Sequence, residues 1–234
     1  MLLNSFSDLD GCHLSFLESF YKNGAKTWCI GPSLLYNDET NGTHNKSPFS
    51  SNYLDWLNQR ISKPTSVIYI SFGTQAYLSD ADLNEVGLGL KMSGHEFLWV
   101  VKSQTWSPPD ELEERLKGTG LIVRDWVDQQ RILAHNAVGG FLSHCGWNSV
   151  MQSLSMGVPL LVLPMNAEQP LNAKQAICDG VRELMSGEEG KKVREKAEDL
   201  GRAAQQAVKE GGSSYKSLTE MIDILQARQT GVSN

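Results

Sequence analysis

The residues best suited to chemistry in this 234-residue chain lie where apolar runs give way to polar, helix-starting ones. His144-Cys145-Gly146-Trp147-Asn148-Ser149 follows the apolar run Val138-Gly139-Gly140-Phe141-Leu142 and precedes a helical pattern. The start of a helix presents backbone N–H groups without intrahelical partners and the positive end of the helix dipole, a setting that holds phosphorylated ligands. Gly146 permits a close approach, Asn148 and Ser149 add donors, and His144 can donate to an anion. The plainer alternative is that Asn148 or Ser149 only caps the helix. Ser71-Phe72-Gly73-Thr74 is a second turn of this kind. There Gly73 admits a ligand near the backbone and the Thr74 hydroxyl can donate to a phosphate oxygen, or the pair is an ordinary helix entrance. A third turn, Asn166-Ala167-Glu168-Gln169, offers a carboxylate and an amide to a polyhydroxylated ligand, or is a helix start with a favourable Glu. Trp126 either stacks on a flat base or fills the core.

Several chemistries are excluded. There is no GxGxxG and no GxxxxGK followed by Ser or Thr, so neither the dinucleotide fingerprint nor a P-loop is present. Phosphate binding would rely on separate helix ends, with no obligatory metal. The four cysteines are widely spaced, and His135, His144 and Cys145 match no common metal-ligand set. A net charge of -6 argues against nucleic-acid partners and anionic membrane surfaces. The start MLLNSFSDLDG lacks the basic and apolar regions of a signal peptide, and no segment is apolar enough to span a bilayer. A cytoplasmic, reducing setting is therefore expected, and the Asn41-Gly42-Thr43 sequon is expected to stay unmodified.

The elements that must position these turns follow from hydrophobic periodicity. Strands are expected at Val67 to Phe72, Phe97 to Val101, Leu121 to Val123, Val138 to Leu142 and Val158 to Leu163. Helices are expected from a box-like start at Ser79 with Asp82 to Gly94, then over Gln129 to His135, Trp147 to Met156, Glu168 to Cys178, Glu188 to Glu210 and Ser213 to Arg228. Earlier in the chain, Cys12 to Tyr21 reads as a helix and Thr27 to Ile30 as extended. Strands apolar along their whole length, alternating with helices, predict an α/β fold: a Rossmann-like parallel sheet with helices on both faces. In such sheets ligands sit beyond the carboxyl ends of the strands. The polar stretch from Tyr36 reads as a linker over 36–52, which leaves 1–35 as a short N-terminal piece and 53–234 as the main domain.

Taken together, Trp126 to Gln175 closely resembles the signature box of plant secondary-product UDP-dependent glycosyltransferases, and the resemblance extends to Val67–Gln75, Phe97–Lys102 and the opening MLLNSFSDLD. It implies the C-terminal, donor-binding half of a GT-B fold, with residues 1–35 the remnant of the N-terminal domain. Carried over by position, Trp126 would stack on uracil, the Val127 backbone would bind the base edge, and Gln129 would reach the ribose. His144, Asn148, Ser149 and Thr74 would hold the diphosphate, with Gly146 giving access. Trp147, Glu168 and Gln169 would contact the sugar. The resemblance also implies transfer of a sugar, glucose above all, from UDP-sugar to a hydroxyl of a small lipophilic acceptor with inversion. The UDP-sugar is a co-substrate, and neither cofactor nor metal is implied.

Two departures qualify this. Gln152 stands where the family usually has Glu, which implies UDP binding weaker by about 1–2 kcal/mol. Asp128 stands where proline is more usual. None of the five histidines matches the family's general base, so no catalytic residue is assigned. The chain also passes from Gln175–Gly180 straight into Val181–Met185, where a further strand and loop are usual, so a truncated form with one strand fewer is expected. The rival reading is a non-catalytic UDP-binding fragment lacking the acceptor domain and general base.

Overall fold

Two short parallel strands, β1 (Leu2–Leu3) and β2 (Trp28–Cys29), pair Leu2 with Trp28 and Leu3 with Cys29 near the start of the chain. Between them lie α1 (Ser7–Asp10), a 3-10 turn at Gly11–His13 and α2 (Leu14–Ser19), so the helix expected over Cys12 to Tyr21 is shorter and enters through a tighter turn. The computed structural model describes residues 1–21, 24, 26–37, 52–73, 78–103, 105–109, 112, 114, 116, 118–163 and 173–230, with the backbone alone described at 37, 229 and 230. It divides into two compact units, Met1–His44 with Glu198–Asn234, and Asn45–Ala197.

The second unit carries the sheet. It begins with α3 (Asn52–Asn58), which buries Tyr53 and Leu57. Then follow β3 (Val67–Ser71), α4 (Asp80–Ser93), β4 (Glu96–Val100), β5 (Gly120–Val123), α5 (Gln129–Leu133), β6 (Val138–Ser143), α6 (Trp147–Ser155), β7 (Leu160–Val162), α7 (Ala173–Ser186) and the first part of the long α8 (Glu188–Val208), whose residues from Glu198 on belong to the first unit. All four strand pairs are parallel, in the order β5-β4-β3-β6-β7. The expected α/β class and parallel sheet are therefore observed. Strand residues alternate between the two faces. Ile68, Ile70, Phe97 and Trp99 pack with Leu83, Leu90, Ile177 and Val181 on one side. Tyr69, Leu98 and Phe141 pack with Leu57, Ile132 and Leu133 on the other. Both faces being covered is why β3 and β6 are apolar without interruption.

Local chemistry sets the helix ends. Ser79 Oγ accepts from the Asp82 N–H at 3.2 Å while the Asp82 carboxylate accepts from the Ser79 N–H at 3.0 Å, a complete capping box. At the other end of α4, Arg182 of α7 donates to the carbonyls of Met92 and Ser93. The point between Gly180 and Val181, where a strand and loop were expected to be missing, lies inside the continuous helix α7. Among the described residues β7 is a sheet edge, and its Val162 is exposed. The first unit also contains α9 (Ser213–Thr230), whose Ser214 Oγ donates to the Gly31 carbonyl at 2.6 Å. Among the described residues no helix is long and apolar enough to cross a membrane.

Candidate functional site

The chain runs outward from β3 through β4 to β5, then returns to the other side of β3 with β6. That reversal makes the carboxyl ends of β3 and β6 the switch point of the sheet, where α/β folds bind ligands. Ser71 and Ser143, the last residues of the two strands, are in register, so the turns that follow them leave the sheet side by side. These are two of the turns singled out from the sequence.

His144 is the first residue beyond β6, and it is packed between two glycines. A Cβ on Gly73 would lie 2.6 Å from His144 Cε1, and one on Gly146 would lie 2.6 Å from Nε2. Neither distance is compatible with a real side chain, so both glycines are required for the imidazole to sit there. Gly73 also has φ of 73°, which favours glycine. The His144 Nδ1 is buried without a partner among the described residues. Cys145 follows in the left-handed region at φ 62°, held by donation from its N–H to Ser143 Oγ at 3.2 Å.

Helix α6 begins immediately afterwards. Its N-cap is Gly146, which has no side chain to satisfy the first-turn amides. The alternative that Asn148 or Ser149 merely caps this helix is therefore overturned: both lie inside its first turn. The first turn thus aims its amides and dipole at the space beside His144. Trp147 and Asn148 are exposed at this end.

A second cluster joins α5 to α6. Gln129, the first residue of α5, donates from Nε2 to Ser149 Oγ at 3.3 Å and to Gln152 Oε1 at 2.6 Å. Its own Oε1 accepts from the Tyr69 hydroxyl at 3.2 Å. Asp128 is the N-cap of α5 and accepts from the Arg131 N–H at 3.2 Å, while its own N–H donates to Tyr53 Oη at 3.3 Å. Trp126 precedes this helix and is 59% exposed, whereas Val127 is buried. The core alternative for Trp126 is thereby removed, since a core tryptophan hides its ring. Thr74, Glu168 and Gln169 lie outside the described residues.

The structure thus brings Gln129, Ser149 and Gln152 into one hydrogen-bonded cluster, and sets His144 against Gly146 at the head of the same helix. Tyr69 escaped the sequence reading because it sits in a strand that reads as core throughout. The available signal was its hydroxyl, since a buried tyrosine needs a partner for its O–H. His135 is not part of the site: its Nδ1 accepts from the Ala137 N–H at 3.1 Å, and its Nε2 lies 3.2 Å from Asn58 Oδ1. Among the described residues no group of three His, Cys, Asp or Glu side chains is placed to hold a metal ion.

Comparison with known proteins fits this geometry. Residues 29–203 match the family described as UDP-glucoronosyl and UDP-glucosyl transferase. The chain is 38% identical to UDP-glycosyltransferase 90A2 of Arabidopsis thaliana, over 95% of its own length and 52% of the relative's. It is 33% identical to the zeatin O-glucosyltransferase of Phaseolus lunatus, over 94% of this chain and 55% of that one. Among solved structures it is similar to Phytolacca americana UGT2 in complex with UDP-2fluoro-glucose and pterostilbene, at 35% identity and TM-score 0.77, covering 95% of this chain and 52% of the other. Os79 of O. sativa in complex with UDP is similar at 31% identity and TM-score 0.77, covering 94% of this chain and 54% of the other. The chain spans about half the length of the relatives it matches. With a matched segment that takes in the whole five-stranded sheet, and plant relatives of the same kind in sequence and in fold, the chain belongs to the UDP-glucoronosyl and UDP-glucosyl transferase family.

Proposed function

We propose that this chain is the donor-binding half of a plant UDP-glycosyltransferase and binds a UDP-sugar at the β3/β6 switch point. The observation that carries this reading is the convergence there of an uncapped helix start, a histidine seated between two glycines, and the cluster linking α5 to α6. Uracil stacks on the exposed Trp126, with the Val127 backbone at its edge. The diphosphate lies on the first turn of α6, against its amides, His144, Asn148 and Ser149, and Thr74 is assigned to it by the family resemblance. The ribose passes Gln129 and Gln152, and the sugar meets Trp147, Glu168 and Gln169. The helix end and His144 offset the charge that develops on UDP as it leaves, with no metal and no cofactor.

The reaction so served is transfer of a glucosyl group to a hydroxyl of a small lipophilic acceptor with inversion, in plant secondary metabolism and in the cytoplasm. The donor and acceptor classes in this reading are supported by the complexes of the relatives, one holding a UDP-sugar analogue with pterostilbene and another holding UDP. The second reading is a UDP-binding module that does not turn over by itself, favoured because none of the residues assigned to the site is a general base for an acceptor hydroxyl. Titration of the purified chain with UDP-glucose, followed by incubation with UDP-glucose and pterostilbene as acceptor and mass spectrometry for released or transferred glucose, separates the two. Binding with neither hydrolysis nor transfer supports the second, binding with transfer supports the first, and no binding contradicts both.

A further inference from the structure

The polar cluster between α5 and α6 is closed on itself. Tyr69 is fully buried, and burial raises the pKa of its phenol well above the ordinary value, so the hydroxyl keeps its proton. Its ring is held by stacking on Phe141 at 4.8 Å. The phenol donates to Gln129 Oε1 at 3.2 Å, which assigns the other end of that amide. Gln129 Nε2 therefore points to α6, and its two protons go to Ser149 Oγ and Gln152 Oε1. Gln152 is assigned in turn. Its oxygen already accepts a short bond of 2.6 Å, which leaves one lone pair of a neutral carbonyl and the amide N–H donors. A carboxylate at this position would keep a second oxygen for a sugar hydroxyl.

We propose that Gln152 relaxes recognition of the ribose, so that this site takes 2′-deoxyuridine diphosphate nearly as well as UDP. The inference rests on the nucleotide-binding reading above. With a base on Trp126 and phosphates on the first turn of α6, the pentose lies beside Gln129, Ser149 and Gln152. Sites discriminate strongly against a missing hydroxyl when its loss leaves their own polar groups unpaired. Gln152 is a neutral, half-buried amide whose oxygen is already engaged by Gln129, so where the deoxy sugar lacks a hydroxyl, water can pair with the amide and no charged acceptor is left without a partner.

The test is a calorimetric titration of the purified chain with UDP and with dUDP. The expected result is dissociation constants within about threefold of each other. In Gln152→Glu the second carboxylate oxygen accepts a ribose hydroxyl, and the preference for UDP rises to more than about tenfold. Gln152→Met, with no acceptor at all, keeps the ratio near one. A wild-type preference for UDP above about tenfold overturns the proposal, and that measurement needs no variant. A folded Gln152→Glu protein with an unchanged ratio overturns the assignment to Gln152. Binding of neither nucleotide overturns the nucleotide-binding reading itself, and this inference with it.

Discussion

At the scale of single residues, the account depends on one exposed ring and one buried ring. Trp126 leaves 59% of its surface open, whereas Trp99, Tyr69, Phe97 and Phe141 of the same unit are fully buried. Replacing it with Ala is expected to weaken UDP binding by about 1–3 kcal/mol, the usual contribution of a base stacked on an aromatic, while leaving the melting temperature unchanged. Calorimetry and a thermal melt on the same preparation check both halves. His144 is tested through its neighbours. In Gly146→Ala the new methyl group needs the space 2.6 Å from Nε2, so the imidazole must swing away and UDP affinity falls at least about tenfold. Unchanged affinity in a folded Gly146→Ala protein would show that the ring does not serve the ligand. The candidate site could be picked out in the sequence because His144, Gly146, Asn148, Ser149 and Trp126 sit beside element boundaries, where polar residues have no packing reason to cluster. Tyr69 and Tyr53 were not legible. Tyr69 lies in a strand that reads as core and Tyr53 in a helix too short to stand out, and only the three-dimensional path of each hydroxyl to Gln129 or to the Asp128 N–H reveals the connection.

At the scale of elements, β3, β4 and β6 were legible to within a residue or two, because a strand buried on both faces leaves a continuous apolar run. The capping box at Ser79 was legible for a different reason, since a hydroxyl and a carboxylate three residues apart satisfy each other's backbone N–H groups. Ser79→Ala should cost about 1 kcal/mol, read as a lower denaturation midpoint at unchanged slope. Two elements were not legible. Helix α3 is short and follows a polar stretch, so Tyr53 and Leu57 give too few turns for a periodicity to stand out. Helix α7 was expected to end at Cys178, yet it runs on to Ser186. Cys178, Val181 and Leu184 continue one buried stripe, and the tertiary contact with α4 and the sheet overrides the local stop signal of Asp179-Gly180. Arg182 reinforces this from α7 by covering two carbonyls at the end of α4.

At the scale of the whole molecule, stability should depend on pH through two histidines outside the site. Burial holds His95 below the ordinary imidazole pKa, helped by the Arg182 charge, and its Nε2 lies 3.3 Å from Ser186 Oγ. Burial lowers His135 as well. A histidine with a depressed folded pKa binds a proton more readily when unfolded, so stability is full above about pH 6.5 and erodes as pH falls below it. The melting temperature should drop between about pH 7 and pH 5, and His95→Gln should flatten that drop; a variant that falls as steeply as wild type would contradict the assignment. The central claim is larger: a nucleoside diphosphate is held where the sheet reverses direction, by the start of α6. A crystal structure of the chain with UDP tests it most directly. The account predicts the diphosphate on the first turn of α6 beside His144 and the uracil flat on Trp126. Uridine diphosphate bound elsewhere, or a β3/β6 switch point empty at saturating ligand, would contradict it.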